Sequence, residues 1–434
     1  MSIDLPLIIG TRSRDQHRAD HQYLHAAARP AVSPLWYGAK GDGAANDTAA
    51  LQASVNAAVA GSRHLIIPAG TYRCTGPITV ASNLHISGAG TASVLHMAGI
   101  DPDNTATNYN LFTLPNGTEN LTIDHLAFMG DFPDLITWTN GNSAAIHGLG
   151  SYAYATHNKN ITIEHCLFKG LDGHPVMGGG DRWSVCNNVI EHCGNGLNVS
   201  AYHMTYAFNR HWYSEGIETA YGGAVIMGNT FDYPLIGAGV SVGGANQVGV
   251  DMPGILVIGN TISHSESLSP SIVIAENAPN AVIAYNAIQY SKGQGITVQG
   301  FDEGLRSVNV QIVGNVLQDV AHGINIGSSN AGTVVRGNVV AIGERAADYP
   351  TIASLVCHGP GTLVSGNRFD GLVVLATNSG ETILTPDNVF DWSALVVSAG
   401  ASYTLGTAMR LRSPNGTRYQ VTVADDGTLS ATPA

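Results

Sequence analysis

Charge is what this chain has least of: only 12% of its 434 residues are Asp, Glu, Lys or Arg, and just four are lysines (Lys40, Lys159, Lys169, Lys292). The acids outnumber the bases, giving a formal charge of −13, and no basic stripe runs along any segment. That balance argues against nucleic acid and against an anionic membrane surface as partners. No apolar run approaches 18 residues, so no membrane-spanning helix is expected. Met1 to Pro6 lacks the charged-then-apolar design of a secretory signal, so any export would use another route. The five cysteines (Cys74, Cys166, Cys186, Cys193, Cys357) are odd in number and show no CxxC spacing, which argues against a disulfide framework or zinc knuckle and leaves buried thiols as the expectation. Seventeen histidines show no HExxH-like spacing, so neither a metal site nor a cofactor is expected. Long amphipathic helical patterns are missing across most of the chain.

What is present is a repeat. A short β-branched run followed by Gly-Asn and an apolar residue two places on occurs at Ala224 to Asp232, Ile255 to Ile262 and Val310 to Leu317, and again around Asn338 and Asn367. Looser copies sit at Asn188, Asn209, Asn286 and Asn388; from Asn188 to Asn388 the eight intervals cover 200 residues, 25 on average. Each copy holds two or three alternating segments of four to six residues, separated by Gly, Asn or Ser, with no room for a helix. A second short segment, usually introduced by Gly, follows in many copies, as at Gly216 to Thr219 and Gly239 to Val242. This spacing predicts stacked rungs of a parallel β-helix, an all-β solenoid with an aliphatic, dry interior. The recurring Asn is expected to hydrogen-bond from rung to rung at a corner that tolerates left-handed backbone. The 52 glycines suit so many tight corners.

Three regions follow. Residues 1–35 read as a polar, His/Arg-rich N-terminal arm, 36–400 as the solenoid with an N-terminal cap, and 401–434 as a small β module built on turns at Asn415-Gly416 and Asp426-Gly427. Near the start, Asn46, Asp47 or Thr48 caps a predicted helix whose Leu51, Val55, Ala58 and Val59 share one face, followed by a strand at His64 to Pro68. The run from Gly41 to Gln52 together with Ile66 to Tyr72 resembles the opening of the pectate-lyase-like family of right-handed β-helices. That family includes polygalacturonase-type hydrolases, polysaccharide lyases and many phage tailspikes. The resemblance covers about 40 residues and implies that the short helix caps the open end of the coil. Asp42 and Asp47 match its acidic positions and read as turn and cap residues. The resemblance further implies a polysaccharide partner, a homotrimer and an extracellular or virion-associated setting, and the last 25 residues are similar to C-terminal modules of phage tail proteins. A plain β cap over the last rung is an equal reading of that tail.

A coil of this kind presents its chemistry on outward columns, where successive rungs lie about 4.8 Å apart. In the second-segment column, Met177, Asn198, Glu218, Ser241, Val273, Thr297 and Asn325 point outward, and Glu218 is the only acid. Glu215 precedes it, beside His211, Trp212 and Tyr213; Asp181, Arg182, Tyr202 and His203 lie in nearby rungs on one side and Asp232 on the other. Carboxyl groups beside aromatic rings suit a glycan groove, since sugar faces stack on rings and hydroxyls need polar partners. Glu218, Glu215, Asp181 and Asp232 are therefore the candidate catalytic residues, with Glu218 the preferred acid of a glycoside hydrolase. Tyr202, His203, His211, Trp212, Tyr213, Arg182 and Asn198 are the candidate substrate contacts. β-Elimination, with His203, His211 or Tyr213 as base and the arginines neutralising a uronate, is the runner-up, and a non-catalytic glycan-binding or structural tail protein is the third reading. The longer excursions at 100–118 and 130–158, with Trp138, Tyr152 and Tyr154, read as groove walls, and Glu266, Glu276, Asp302 and Glu303 as solvated loop acids.

Overall fold

The computed structural model describes residues 31–434 except 102–108, 136–142, 149–156, 235–236, 244–252, 276, 300–306, 344–351, 376–380, 386, 391–394, 398–401, 406–409, 413–417, 424–428 and 434. The repeat does form rungs. A representative one runs Thr205–Ala207, Arg210–Ser214, Ile217–Thr219, and each strand pairs in parallel with its counterpart one turn on, at Val225–Met227, Thr230–Asp232 and Val240–Val242. Three parallel faces therefore wind about one axis, forming a right-handed parallel β-helix.

The Gly-Asn pair makes the corner between the first and second faces. Gly228, for example, takes φ +64°, a conformation that costs a side-chain-bearing residue roughly 1–2 kcal/mol. Asn229 then turns its amide along the axis. In the series Asn188, Asn209, Asn229, Asn260, Asn286, Asn315, Asn338, Asn367, Asn388, each Oδ1 from Asn209 on accepts both the backbone N–H and the side-chain Nδ2–H of the preceding member, at 2.8–3.1 Å. The ladder satisfies the corner's buried polar groups without water. Glycines that open the third face answer a different need. A Cβ on Gly216 would lie 1.7 Å from the Gly239 carbonyl oxygen, so the next rung passes through the space a side chain would fill.

Inward columns are mostly aliphatic, as the alternation predicts, each fully buried Val, Ile or Leu stabilising by about 1.5–3 kcal/mol. The interior is not uniformly so. Phe128 and Phe168 stack at 5.1 Å, Trp183 is buried, and one rung carries Tyr206 and His211 inside. The helix α1 (Thr48–Ala60) sits over the first rungs, burying Leu51, Ser54, Val55 and Ala58, while Val59 faces out because it falls beyond the buried stripe. Asp47 is its N-cap residue but makes no side-chain cap, and Asn46 Oδ1, one residue earlier, accepts the Thr48 N–H. Asp47 instead accepts the Lys40 and Gly41 N–H groups at 2.7 and 3.0 Å, and Asp42 accepts those of Ala44 and Ala45, so both acids stitch the preceding turn.

Parts of the expected wall segments are regular rungs: Asn110–Leu114 and Ala144–Gly148 pair on the third face. Trp138, Tyr152 and Tyr154 lie outside the described residues, as do residues 1–30 of the expected arm. Near the C-terminus, Arg410–Arg412, Arg418–Val423 and Leu429–Pro433 form a three-stranded antiparallel sheet.

Candidate functional site

The third face carries the outward column read from the sequence. Strand pairing aligns Met177, Asn198, Glu218, Ser241, Val273, Thr297 and Asn325, and extends it upward to His147 and Thr113. A groove of about 310 Å³ opens over its middle, lined among others by His174, Asn198, Glu215, Glu218, Gly237 and Ser241. A smaller hollow of about 150 Å³ continues toward the N-terminal rungs, lined by His147, Gly178, Gly179, Gly180, Ser200 and Tyr221. Asn198 lines both, so the two form a continuous track along the axis.

Glu215 sits at the corner into the third face and Glu218 in the strand that follows. The Gly196 N–H donates to Glu215 Oε2 at 3.4 Å, and the following peptide is held by His174, whose Nδ1–H donates to the Gly196 carbonyl at 2.8 Å. Asn198 Nδ2 donates to Glu218 Oε2 at 3.2 Å. Both carboxyls titrate above the usual range. Loss of water raises each, the Gly196 N–H only partly offsets this at Glu215, and the charge of Glu218 lifts Glu215 further. Glu218 is nonetheless open to the groove, whereas Glu215 is half-buried. Burial depresses the pKa of His147 and His174, keeping both rings neutral near pH 7. No Lys or Arg lines either cavity among the described residues.

The remaining candidates are placed elsewhere. Asp181 is buried beneath Arg182 and His203, accepting from Arg182 Nη1 at 2.7 Å and His203 Nδ1 at 2.9 Å; Arg182 also donates to Asn160 Oδ1. Asp232 belongs to the second face, where it accepts from Ser263 Oγ and His264 Nδ1, both at 2.9 Å. His211 is fully buried inside the coil and cannot reach a groove ligand, because its strand aligns it with inward Ile190 and Phe231. Tyr213 stands in a ring ladder, His192, Tyr213, Tyr233, His264, Tyr290, with centroids 4.7–5.3 Å apart. Its two faces are covered by neighbouring rings, so it offers no platform to a sugar. Trp212 packs against His192 and Tyr213 on the second face. Tyr202 packs at a tilt against Tyr221, ring centroids 4.6 Å apart, at the margin of the smaller hollow. Of the sequence candidates, the groove thus gathers Glu215, Glu218 and Asn198. His147 and Gly237 were missed. The column's two-residue alternation was the signal for His147, hidden by the Gly/Asn-rich sequence around its short strand. Glu266 pairs with Lys292, and Glu276, Asp302 and Glu303 lie outside the described residues.

Residues 35–218 match the family model described as rhamnogalacturonase A/epimerase, pectate lyase-like. The described residues form a parallel β-helix, and its first half carries that pectate lyase-like match. Mannuronan C5-epimerase AlgE2 of Azotobacter vinelandii is 40% identical over 101 residues, covering 20% of this chain and 10% of that protein, so the match spans about a tenth of that curated relative. The A-module of AlgE6 from the same organism aligns with a TM-score of 0.55 at 16% identity, over 86% of this chain and 99% of the module. The catalytic unit of the GH87 α-1,3-glucanase of Streptomyces thermodiastaticus aligns with a TM-score of 0.58 at 17% identity, over 87% of this chain and 67% of that one. At these identities the two structural likenesses speak to the parallel β-helix fold alone.

Proposed function

We propose that this β-helix binds a neutral polysaccharide along its third face and hydrolyses it with Glu215 and Glu218. The observation that carries the reading is the pair itself: two carboxyls on one rung, at the floor and edge of an open groove, both with raised pKa. Glycoside hydrolysis requires one carboxyl that keeps its proton and one that gives it up. Glu215, the more enclosed and further raised by its neighbour's charge, takes the role of proton donor to the leaving oxygen. Glu218, open to the groove and oriented by the Asn198 amide, takes the role of base or nucleophile. This exchanges the preference drawn from the sequence, where Glu218 was the acid. The smaller hollow beside Tyr221 accepts neighbouring sugar units of the same chain.

Proton abstraction beside a uronate carboxylate, leading to β-elimination or C5 epimerisation, is the second reading. It is favoured by the neutral imidazoles of His147 and His174 and by the epimerase in the family description. Against it, a uronate would meet two acids and no cation among the described lining residues. Trimer formation comes from the family resemblance and is a further expectation, read by sedimentation equilibrium.

The test is incubation with a panel of neutral and uronic-acid polysaccharides in deuterated buffer, following reducing ends, absorbance near 235 nm and hydrogen exchange at C5. Reducing ends alone support hydrolysis. Absorbance with new ends establishes a lyase, C5 exchange without new ends establishes an epimerase, and binding with no reaction leaves a glycan-binding module.

A further inference from the structure

The inward columns of the first and second faces are apolar for many rungs and then each admits a polar side chain in the same rung. On the first face the order is Ile163, Val185, Tyr206, Ile226, Val257, Ile283. On the second it is Phe168, Ile190, His211, Phe231, Ile262, Ile288. Tyr206 and His211 meet inside the coil, both 0% exposed, with the phenol donating to His211 Nε2. His211 Nδ1–H donates at 2.9 Å to the backbone carbonyl of Glu215, which also accepts from Ser214 Oγ at 3.0 Å. An isolated polar pair in such a core is stabilising only when fully satisfied, and apolar residues of similar volume serve as well for packing. The fold therefore has no need of the pair, and the neighbouring rungs do without it.

We propose that Tyr206 and His211 are positioning residues: from inside the coil they fix the peptide after Glu215 and so hold its carboxyl against the groove. This rests on the reading of Glu215 as the acid, and deepens it. Neither residue touches the groove. They act through the Glu215 carbonyl, which sets the direction in which the side chain leaves the corner. The neutral imidazole suits this, since its Nδ1–H must donate while Nε2 accepts, and burial holds the ring in that form.

The test is a carbon-13 titration of the Glu215 carboxyl in the full-length labelled protein, assigned by its loss in Glu215→Gln, in wild type, His211→Leu, Tyr206→Phe and His211→Asn. Thermal unfolding and, on the polysaccharide cleaved by wild type, kcat and KM are measured alongside. In His211→Leu the carboxyl relaxes toward water and its midpoint falls by about half a unit or more, because a change in solvation registers directly in pKa. On the same variant kcat falls about tenfold or more, the scale of a misplaced proton donor, while KM and the melting temperature stay near wild type. His211→Asn, whose Nδ2–H stands where Nδ1–H stood, recovers most of the loss. A folded His211→Leu with unchanged midpoint and kcat overturns the proposal, as does a kcat loss that merely follows the melting temperature. Should His211→Leu fail to fold, Tyr206→Phe, which removes one hydroxyl, decides the matter by the same readouts. An active Glu215→Gln would refute the catalytic reading instead, and the titration would still judge the positioning.

Discussion

Gly237→Ala separates the catalytic account from the stability of the coil. Gly237 lies one rung beyond Glu215 at φ +83°, and a Cβ there would stand 1.9 Å from Glu215 Oε1 and 2.9 Å from its carboxyl carbon. Ordinary contact begins near 3.4 Å, so the carboxyl must retreat by about 1.5 Å. The obstacle is the tip of a side chain, which can rotate away, so the folding cost is mainly that of alanine in left-handed backbone, about 1–2 kcal/mol. The chemical cost is larger. Displacement of a proton donor by about 1 Å is worth roughly 100-fold in rate, and loss of a general acid about 100- to 10,000-fold. The expected result on the polysaccharide that wild type cleaves is a kcat at least about 100-fold lower, with circular dichroism unchanged and a melting temperature only a few degrees lower. Wild-type kcat in the folded variant would mean that Glu215 does not act from the place the structure gives it.

Further outcomes follow from the interior. Asn260→Ala removes the acceptor of two Asn229 donors and the donor to the Ile226 carbonyl, so urea unfolding should show a loss of about 3–5 kcal/mol; a loss under 1 kcal/mol would contradict the ladder's role. His211, pushed by burial from 6.5 down to about 3, binds its proton more readily when unfolded, so its contribution is complete above pH 6.5 and declines toward pH 3. Between pH 7 and 4.5 the stability difference between wild type and His211→Leu should therefore shift by about 2.5 kcal/mol against wild type, and a constant difference would place the ring in water. Burial lifts the thiols of Cys74, Cys166 and Cys193 to about 12, so at pH 8 a disulfide reagent should label half-buried Cys186 first and the others only on unfolding; equal labelling rates would deny a closed interior.

Much of the fold was legible because one dipeptide encodes two requirements at once: glycine for the left-handed corner and asparagine for the amide ladder. The third-face column from Met177 to Asn325 was legible for the same reason, since a regular period fixes which alternate residues face out. The aromatics misled. In His211-Trp212-Tyr213 hydropathy favours Trp212 for the inside, yet strand register turns Trp212 out and His211 in, aligned with Ile190 and Phe231. Tyr213 and Tyr233 occupy left-handed corners, where rings stack on the next rung's ring and leave no free face. Asp181 belongs to an ion-paired cluster with Arg182 and His203, which sequence proximity to the glutamates could not distinguish from a groove. Contact between a Cβ position on Gly237 and the Glu215 carboxyl depends on the offset between rungs and leaves no mark in the sequence.

The most direct measurement of the central claim is the turnover and binding of Glu215→Gln and Glu218→Gln on the polysaccharide that wild type cleaves. The account predicts that each isosteric variant binds the chain as wild type does, unfolds at nearly the same temperature and loses at least about 100-fold in kcat. Wild-type turnover in either variant would contradict the assignment of this groove as a carboxylate-pair hydrolase.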